Sequence, residues 1–428
     1  MKLLRDPAEL DFRAIVRPGD TVLWTQGSGE PTALLERLLA QRHEIGPFRM
    51  FLGTSYSGVV RPEHADVVRF IGLGAVGTNR AMCKAGLVDV LPCNLTDIPR
   101  MLATGALRVD VVLLQLSAAD ASGRHSVGAM NSYVQAALPR CRAVVVEIND
   151  QAPWTHASEP FGLKEFEAAV AVSRPLPELR DKSSGPVEKA IAGHIAALVP
   201  DGATLQVGIG GIPNALFEAL RGHRDLGLHT GVIGDGMLDL VERGVLTNAR
   251  KGVDRGVSVT GGLLGTRRLY GYAHRNPALR VEPVSYTHAS QVLDRLDRLV
   301  AVNSALEVDL TGQIGAEVAG QSYVGTIGGQ VDFARAALRS EGGRSVIGLP
   351  ARTESGRPRI VASLASGVVT TSRSDAYAIV TEYGVAELRY QPIGERIRRM
   401  IAIAHPDDRE ALARAAREQV AGFPVREC

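Results

Sequence analysis

Hydrophobic residues fall into short, nearly continuous runs separated by stretches with helical spacing. Val109–Leu116 (VDVVLLQL) and Ala143–Ile148 (AVVVEI) are the clearest runs, and Thr204–Ile209, Arg298–Asn303 and Ala376–Thr381 resemble them. Their richness in Val, Leu and Ile without alternation predicts strands buried on both faces of a parallel sheet. Between them, Ala33–Leu39, Glu188–Leu198 and Ala215–Leu220 repeat Leu, Ile and Ala at helical spacing. The alternation of strand and helix predicts an open α/β architecture.

The pattern repeats. Pro18–Leu39 and Pro200–Arg221 align at a constant offset of 182 residues. Pro18 meets Pro200, Leu23 meets Leu205, Gly29 meets Gly211 and Pro31 meets Pro213, followed by Ala33 with Ala215, Leu34 with Leu216 and Glu36 with Glu218. Each copy reads as turn, strand, Gly-rich loop, proline and helix, and a proline near a helix start is favoured there. We therefore expect two related α/β halves, residues 1–180 and 187–428. The seam is expected in Arg174–Pro186 (RPLPELRDKSSGP), which is rich in proline, serine and charge.

Composition narrows the function. The 428 residues are 45% hydrophobic and 22% charged, an ordinary globular balance for more than one core. A net charge of +2 gives no broad electrostatic footprint for nucleic acid. Cys83, Cys93, Cys141 and Cys428 form no CxxC pair, which fits a reducing compartment better than a disulfide framework. A charge and a proline interrupt MKLLRDPAELDF, and no apolar stretch approaches a bilayer's width. The expectation is a cytoplasmic protein with no membrane and no nucleic-acid partner.

Several segments carry candidate chemistry. Gly208–Pro213 (GIGGIP) follows a predicted strand and opens a helix, so its N–H groups could meet an anion or a developing oxyanion; a tight βα turn explains it equally well. Gly328–Asp332 (GGQVD) precedes the helical stretch Phe333–Leu338, with Asp332 expected as the cap. Arg373 and Glu382, on either side of a buried strand, are expected as an ion pair. His229–Gly236 (HTGVIGDG) has Asp235 as its one carboxylate. HExxH and GxSxG are absent and the ten histidines form no cluster, so no metal is implied.

Together, GIGGIPNAL, GLLGTRRLYGY, YVGTIGGQVDF, VTTSRSDAYAIVTEYG and IAHPDDREAL, with EINDQAPWT and SRPLPE upstream, resemble the acetyl-CoA hydrolase/transferase family of class I CoA-transferases over residues 10–420. The resemblance implies two related open α/β domains with the active site in the cleft between them, coenzyme A as acyl-CoA substrate, and a homodimer or larger homo-oligomer. It implies ping-pong chemistry in which a glutamate attacks an acyl-CoA, giving a mixed anhydride and then a glutamyl-CoA thioester. By the same resemblance Gly208, Ile209, Gly210, Gly211 and Ile212 match a CoA-contacting loop, and Leu306 and Gly329 match further CoA contacts. Asn303 matches a polar residue beside the active site, and Glu30 a glutamate of the same cleft.

One position departs from the family pattern. The nucleophilic glutamate lies in a segment resembling H-S/T-E-M-x-S-D-G, and here His229, Asp235 and Gly236 keep their places while Gly231 stands at the glutamate position. Glycine can form neither an anhydride nor a thioester. The leading expectation is an acyl-CoA-utilising enzyme in which water or a small-molecule acceptor attacks the thioester directly, with Glu30 or Asp235 as base. Two other readings stand beside it: CoA transfer through one of those carboxylates as substitute nucleophile, and a non-catalytic CoA-binding homologue or partner subunit.

Overall fold

The computed structural model describes residues 2–158, 166–180 and 183–419. It contains two eight-stranded sheets. The first is built from β1 (Lys2–Leu4), β2 (Thr21–Trp24), β3 (Phe48–Leu52), β4 (Val68–Gly72), β5 (Val88–Val90), β6 (Val111–Ser117), β7 (Ala143–Asn149) and β8 (Ala168–Val172), in the order β1-β8-β7-β6-β2-β3-β4-β5. The second takes β9 (Thr204–Val207), β10 (Gly227–Thr230), β11 (Ser258–Thr260), β12 (Leu279–Val281) and β13 (Leu299–Asn303), followed by Arg344–Gly348, Ala378–Thr381 and Gly384–Glu387.

The two sheets share one strand order. β2 has β3, β4 and β5 on one side and β6, β7 and β8 on the other. β9 likewise has β10, β11 and β12 on one side, with β13, Arg344–Gly348 and Ala378–Thr381 on the other. The echo at offset 182 falls on these two central strands and the helices that follow them, Thr32–Ala40 and Gly211–Ala219. The sheets differ at one edge: β1 pairs parallel with β8, whereas Gly384–Glu387 pairs antiparallel with Ala378–Thr381.

Every residue of β6 and of β9 is buried, because helices cover both faces of each sheet. Apolar side chains such as Val22, Leu34 and Leu38 pack on one face of the first sheet, while Leu23, Phe51 and Tyr133 pack on the other. The helix Pro186–Ala196 follows the expected seam and buries Ile191 and Ile195 against the second sheet. Positions 181 and 182 of that seam lie outside the described residues. No helix among the described residues is long and apolar enough to cross a membrane.

Two local expectations are corrected. Asp332 is no cap: the helix runs Gln330–Arg339 with Gly329 at its N-cap, and the Asp332 carboxylate accepts instead from Thr96 Oγ1 of the other half at 2.8 Å. Arg373 and Glu382 do not pair. Arg373 is held by Gln313 and Thr311, while Glu382 accepts the amide of Ala351 at 2.9 Å. The strand between them, Ala378–Thr381, is fully buried and separates the two side chains.

The halves meet along two seams. On one, the Asn131 amide donates to Gly261 O at 2.9 Å, Leu263 donates to Ala129 O at 2.8 Å and Val284 donates to Ser132 O at 3.0 Å. On the other, Ala75 donates to Gly325 O at 3.0 Å, Leu95 donates to Gly328 O at 3.1 Å and Thr326 Oγ1 donates to Leu73 O at 2.6 Å. Loops at strand ends of both halves supply these contacts, and a cavity lies between the seams.

Candidate active site

The cavity has a volume of about 220 Å³. Gln26, Gly53, Leu73, Val76, Met130 and Ser132 line it from the first half, and Gln206, Gly208, Gly231, His288, Asn303 and Gly329 are among those lining it from the second. β9 ends at Val207, just before Gly208, and β10 ends at Thr230, just before Gly231. β13 ends on Asn303, so three adjacent strands deliver their final residues to one wall. Open α/β sheets place ligands at such strand ends.

The expected site residues separate into groups. Gly208, Gly231, Asn303 and Gly329 converge on the cavity. Ile209, Gly210, Gly211, Ile212 and Leu306 do not line it. Gly210 is exposed and carries a φ of +126°, a conformation that requires glycine, as the loop turns into the helix Gly211–Ala219. Gly329 caps the helix Gln330–Arg339, and Gly328, Gly329 and Gln330 all face the cavity, so the unpaired first-turn N–H groups of that helix begin at its wall.

Neither expected carboxylate lines the cavity. Glu30 is 1% exposed and fully engaged in its own half. Oε1 accepts from the Tyr56 amide at 2.7 Å, and Oε2 accepts from Ser55 Oγ and Ser57 Oγ. Burial raises its carboxyl above the ordinary glutamate value, against the opposing pull of those donors. It ties the loop after β3 to the loop after β2. Asp235 accepts from the Thr266 amide through Oδ2 at 3.0 Å, and its Oδ1 has no partner.

Sequence reasoning missed His288, the one titratable side chain among the described residues lining the cavity. It ends the short helix Val284–Thr287 and is 4% exposed. Nδ1 lies 2.8 Å from Thr287 Oγ1. The Thr287 hydroxyl also lies 3.3 Å from Pro283 O; donation to that carbonyl would leave its oxygen to accept from Nδ1–H, with the lone pair on Nε2. Burial holds the imidazole down at about 4, so the ring is neutral at pH 7. The ring packs against Phe333 with centroids 4.7 Å apart.

The ring also fits between two glycines. A Cβ built on Gly329 would stand 2.2 Å from His288 Nε2, and one built on Gly231 would stand 3.1 Å from Cε1 and 3.2 Å from Nε2. Gln206, also missed, exchanges two hydrogen bonds with Asn303: Nε2 donates to Oδ1 at 3.3 Å, and Nδ2 donates to Oε1 at 3.1 Å. Ser132 Oγ is buried with no partner. A lone histidine in an unremarkable THAS segment, and a glutamine inside an apolar strand, carry no motif that could have marked them.

Comparison with known proteins matches the chain along nearly its whole length. The acetyl-CoA hydrolase/transferase N-terminal domain matches residues 4–161, and the C-terminal domain of the same name matches residues 265–416. The 4-hydroxybutyrate coenzyme A transferase of Clostridium kluyveri is 38% identical over 395 residues, covering 91% of this chain and 92% of that protein. Among solved structures, RipA from Yersinia pestis superimposes with a TM-score of 0.90 at 33% identity, covering 98% of this chain and 97% of that one. The 4-hydroxybutyrate CoA-transferase from Porphyromonas gingivalis superimposes with a TM-score of 0.82 at 30% identity, covering 98% of both.

Proposed function

We propose, since the chain belongs to the acetyl-CoA hydrolase/transferase family, that it is an acyl-CoA-utilising enzyme in which a small acceptor or water attacks the thioester directly. The observation that carries this reading is a cavity at the strand ends with no carboxylate among the described residues lining it. The position matched to the family's nucleophilic glutamate is Gly231, which has no group to acylate.

The remaining parts support thioester chemistry. The first-turn N–H groups at Gly329 and Gln330 lie where a thioester carbonyl oxygen could be held as charge develops on it. The turn Ile209–Gly210 and the helix start at Gly211, running out from Gly208 with Gly210 exposed, offer backbone to the CoA chain. The Gln206–Asn303 pair offers amide groups to the acyl or acceptor portion. CoA transfer through a substitute carboxylate would need Glu30 or Asp235 within about 3 Å of the carbonyl carbon, and neither lines the cavity.

Intact-protein mass spectrometry during incubation with a panel of short acyl-CoAs tests the reading. Released CoA without a covalent adduct is the expected result. A CoA adduct on a carboxylate would establish ping-pong transfer instead. Binding of CoA with no thioester consumed, across acceptors that include water, alcohols and amines, would identify a non-catalytic homologue.

A further inference from the structure

We infer that His288 Nε2 is the general base of this site, occupying the space left by the absent side chain at position 231. The inference rests on the direct-attack reading above and adds the group that would make it work.

Four observations converge on this atom. Nε2 has no hydrogen-bond partner among the described residues, while Nδ1 is fixed by Thr287 Oγ1. The Thr287 hydroxyl lies within reach of Pro283 O at 3.3 Å, and donation to that carbonyl would set the tautomer with the lone pair on Nε2. The Cβ positions of Gly329 and Gly231 both fall within about 3.2 Å of Nε2, and both glycines line the cavity, so the lone-pair edge faces the site. Ser132 Oγ, buried and without a partner, provides a second polar group in the same cavity for an acceptor's oxygen or nitrogen.

The step balances without a further reagent. As the acceptor's oxygen or nitrogen bonds to the thioester carbonyl carbon, its proton passes to Nε2 and the carbonyl π pair moves onto oxygen. Collapse of the tetrahedral adduct reforms the carbonyl, breaks the carbon–sulfur bond and expels the thiolate. The proton on Nε2 then passes to sulfur. The products are the acylated acceptor, or the free acid when water attacks, and CoA with its thiol restored. Burial keeps the ring unprotonated before reaction.

The test compares the full-length protein with His288→Gln on whichever acyl-CoA and acceptor the wild type turns over. The expected result is a fall in kcat of about 10²-fold or more, with KM and CoA affinity within about two-fold of wild type, the common allowance for a change that leaves binding contacts in place. A His288→Gly variant should regain part of its activity with added imidazole. Unchanged kcat in His288→Gln would overturn the inference and leave direct attack standing. A covalent CoA adduct on the wild type, or no turnover by it at all, would overturn the direct-attack reading itself. Should both His288 variants fail to fold, Thr287→Val keeps the ring and removes the hydroxyl that sets its tautomer. Reduced kcat in that variant supports the inference and unchanged kcat overturns it.

Discussion

The His288 ring stands against the place where a side chain on Gly231 would begin. A Cβ at position 231 would lie 3.1 Å from the imidazole Cε1, tighter than ordinary contact, so the ring would have to give by a few tenths of an ångström. The glycine and the histidine are therefore two halves of one arrangement: the space that one leaves is used by the other.

Gly231→Glu places a carboxylate at the cavity wall at the expense of that arrangement. We expect this variant to lose direct acyl transfer, because the new side chain crowds His288 and fills acceptor space. We also expect it to accumulate a covalent CoA adduct when given acyl-CoA, since a carboxylate then lies at the thioester. Intact-mass spectrometry reads both outcomes, and absence of an adduct in a folded, CoA-binding variant would show that position 231 does not face the reacting carbon.

Gly329→Ala tests the same ring from the other side. Gly329 has a φ of −97°, which alanine adopts freely, so the cost comes from the Cβ that would lie 2.2 Å from Nε2. We expect kcat to fall, and the double variant with His288→Gln to fall no further than the more impaired single variant. Additive losses in the cycle would separate the two residues.

Thr96→Val removes the hydroxyl that bridges the halves to Asp332. That carboxyl is pushed up to about 6 by burial, its Oδ2 has no partner, and Thr96 Oγ1 is its side-chain donor. Loss of the donor should cost about 1–3 kcal/mol of stability, measured by denaturant unfolding at pH 7. Thr96→Ser should recover most of it.

The histidine gives a pH signature in stability. Its folded value of about 4 lies below the ordinary 6.5, so between those limits the unfolded chain takes a proton that the folded chain refuses. Stability therefore rises with pH through that window and is lost on acidification. On going from pH 7 to pH 5, His288→Gln should lose about 2 kcal/mol less than wild type. Equal losses in paired unfolding curves would mean that the ring is not held neutral.

The cavity also predicts a preference among acyl groups. No Lys or Arg is among the described residues lining it, so a terminal carboxylate on the acyl chain would be buried without a counter-charge. We expect kcat/KM for butyryl-CoA to exceed that for succinyl-CoA by about 10²-fold, the difference that an unpaired buried charge of roughly 3 kcal/mol would make.

The sequence made the sheets legible for a physical reason. Strands buried on both faces need no alternation, so runs such as Val111–Ser117 and Ala143–Asn149 stand out by composition alone. The observed limits shift by a residue or two from the runs: the first begins at Val111, next to Asp110, whose carboxylate accepts the Thr21 amide at 3.0 Å. The repeat was visible because both central strands and their helices serve the same place in two sheets of one order. Of the expected site residues, Gly208, Gly231, Asn303 and Gly329 line the cavity, and glycine marks a close approach at Gly231 and Gly329. Glu30 drew attention because the family resemblance implies a glutamate of the cleft there, yet its oxygens are spent on Ser55, Tyr56 and Ser57. His288 and Gln206 lie 82 residues apart in the chain, and nothing local announces that folding brings both to one cavity.

The reciprocal amide pair of Gln206 and Asn303 has a symmetry of its own. Turning both amides over together keeps both hydrogen bonds, because each side chain simply exchanges the roles of donor and acceptor. What changes is the face that the pair presents to the cavity, an N–H in one state and a lone pair in the other. A substrate carbonyl would select the first and an incoming amine or hydroxyl the second, so the wall adapts its polarity to whichever group arrives without moving a backbone atom.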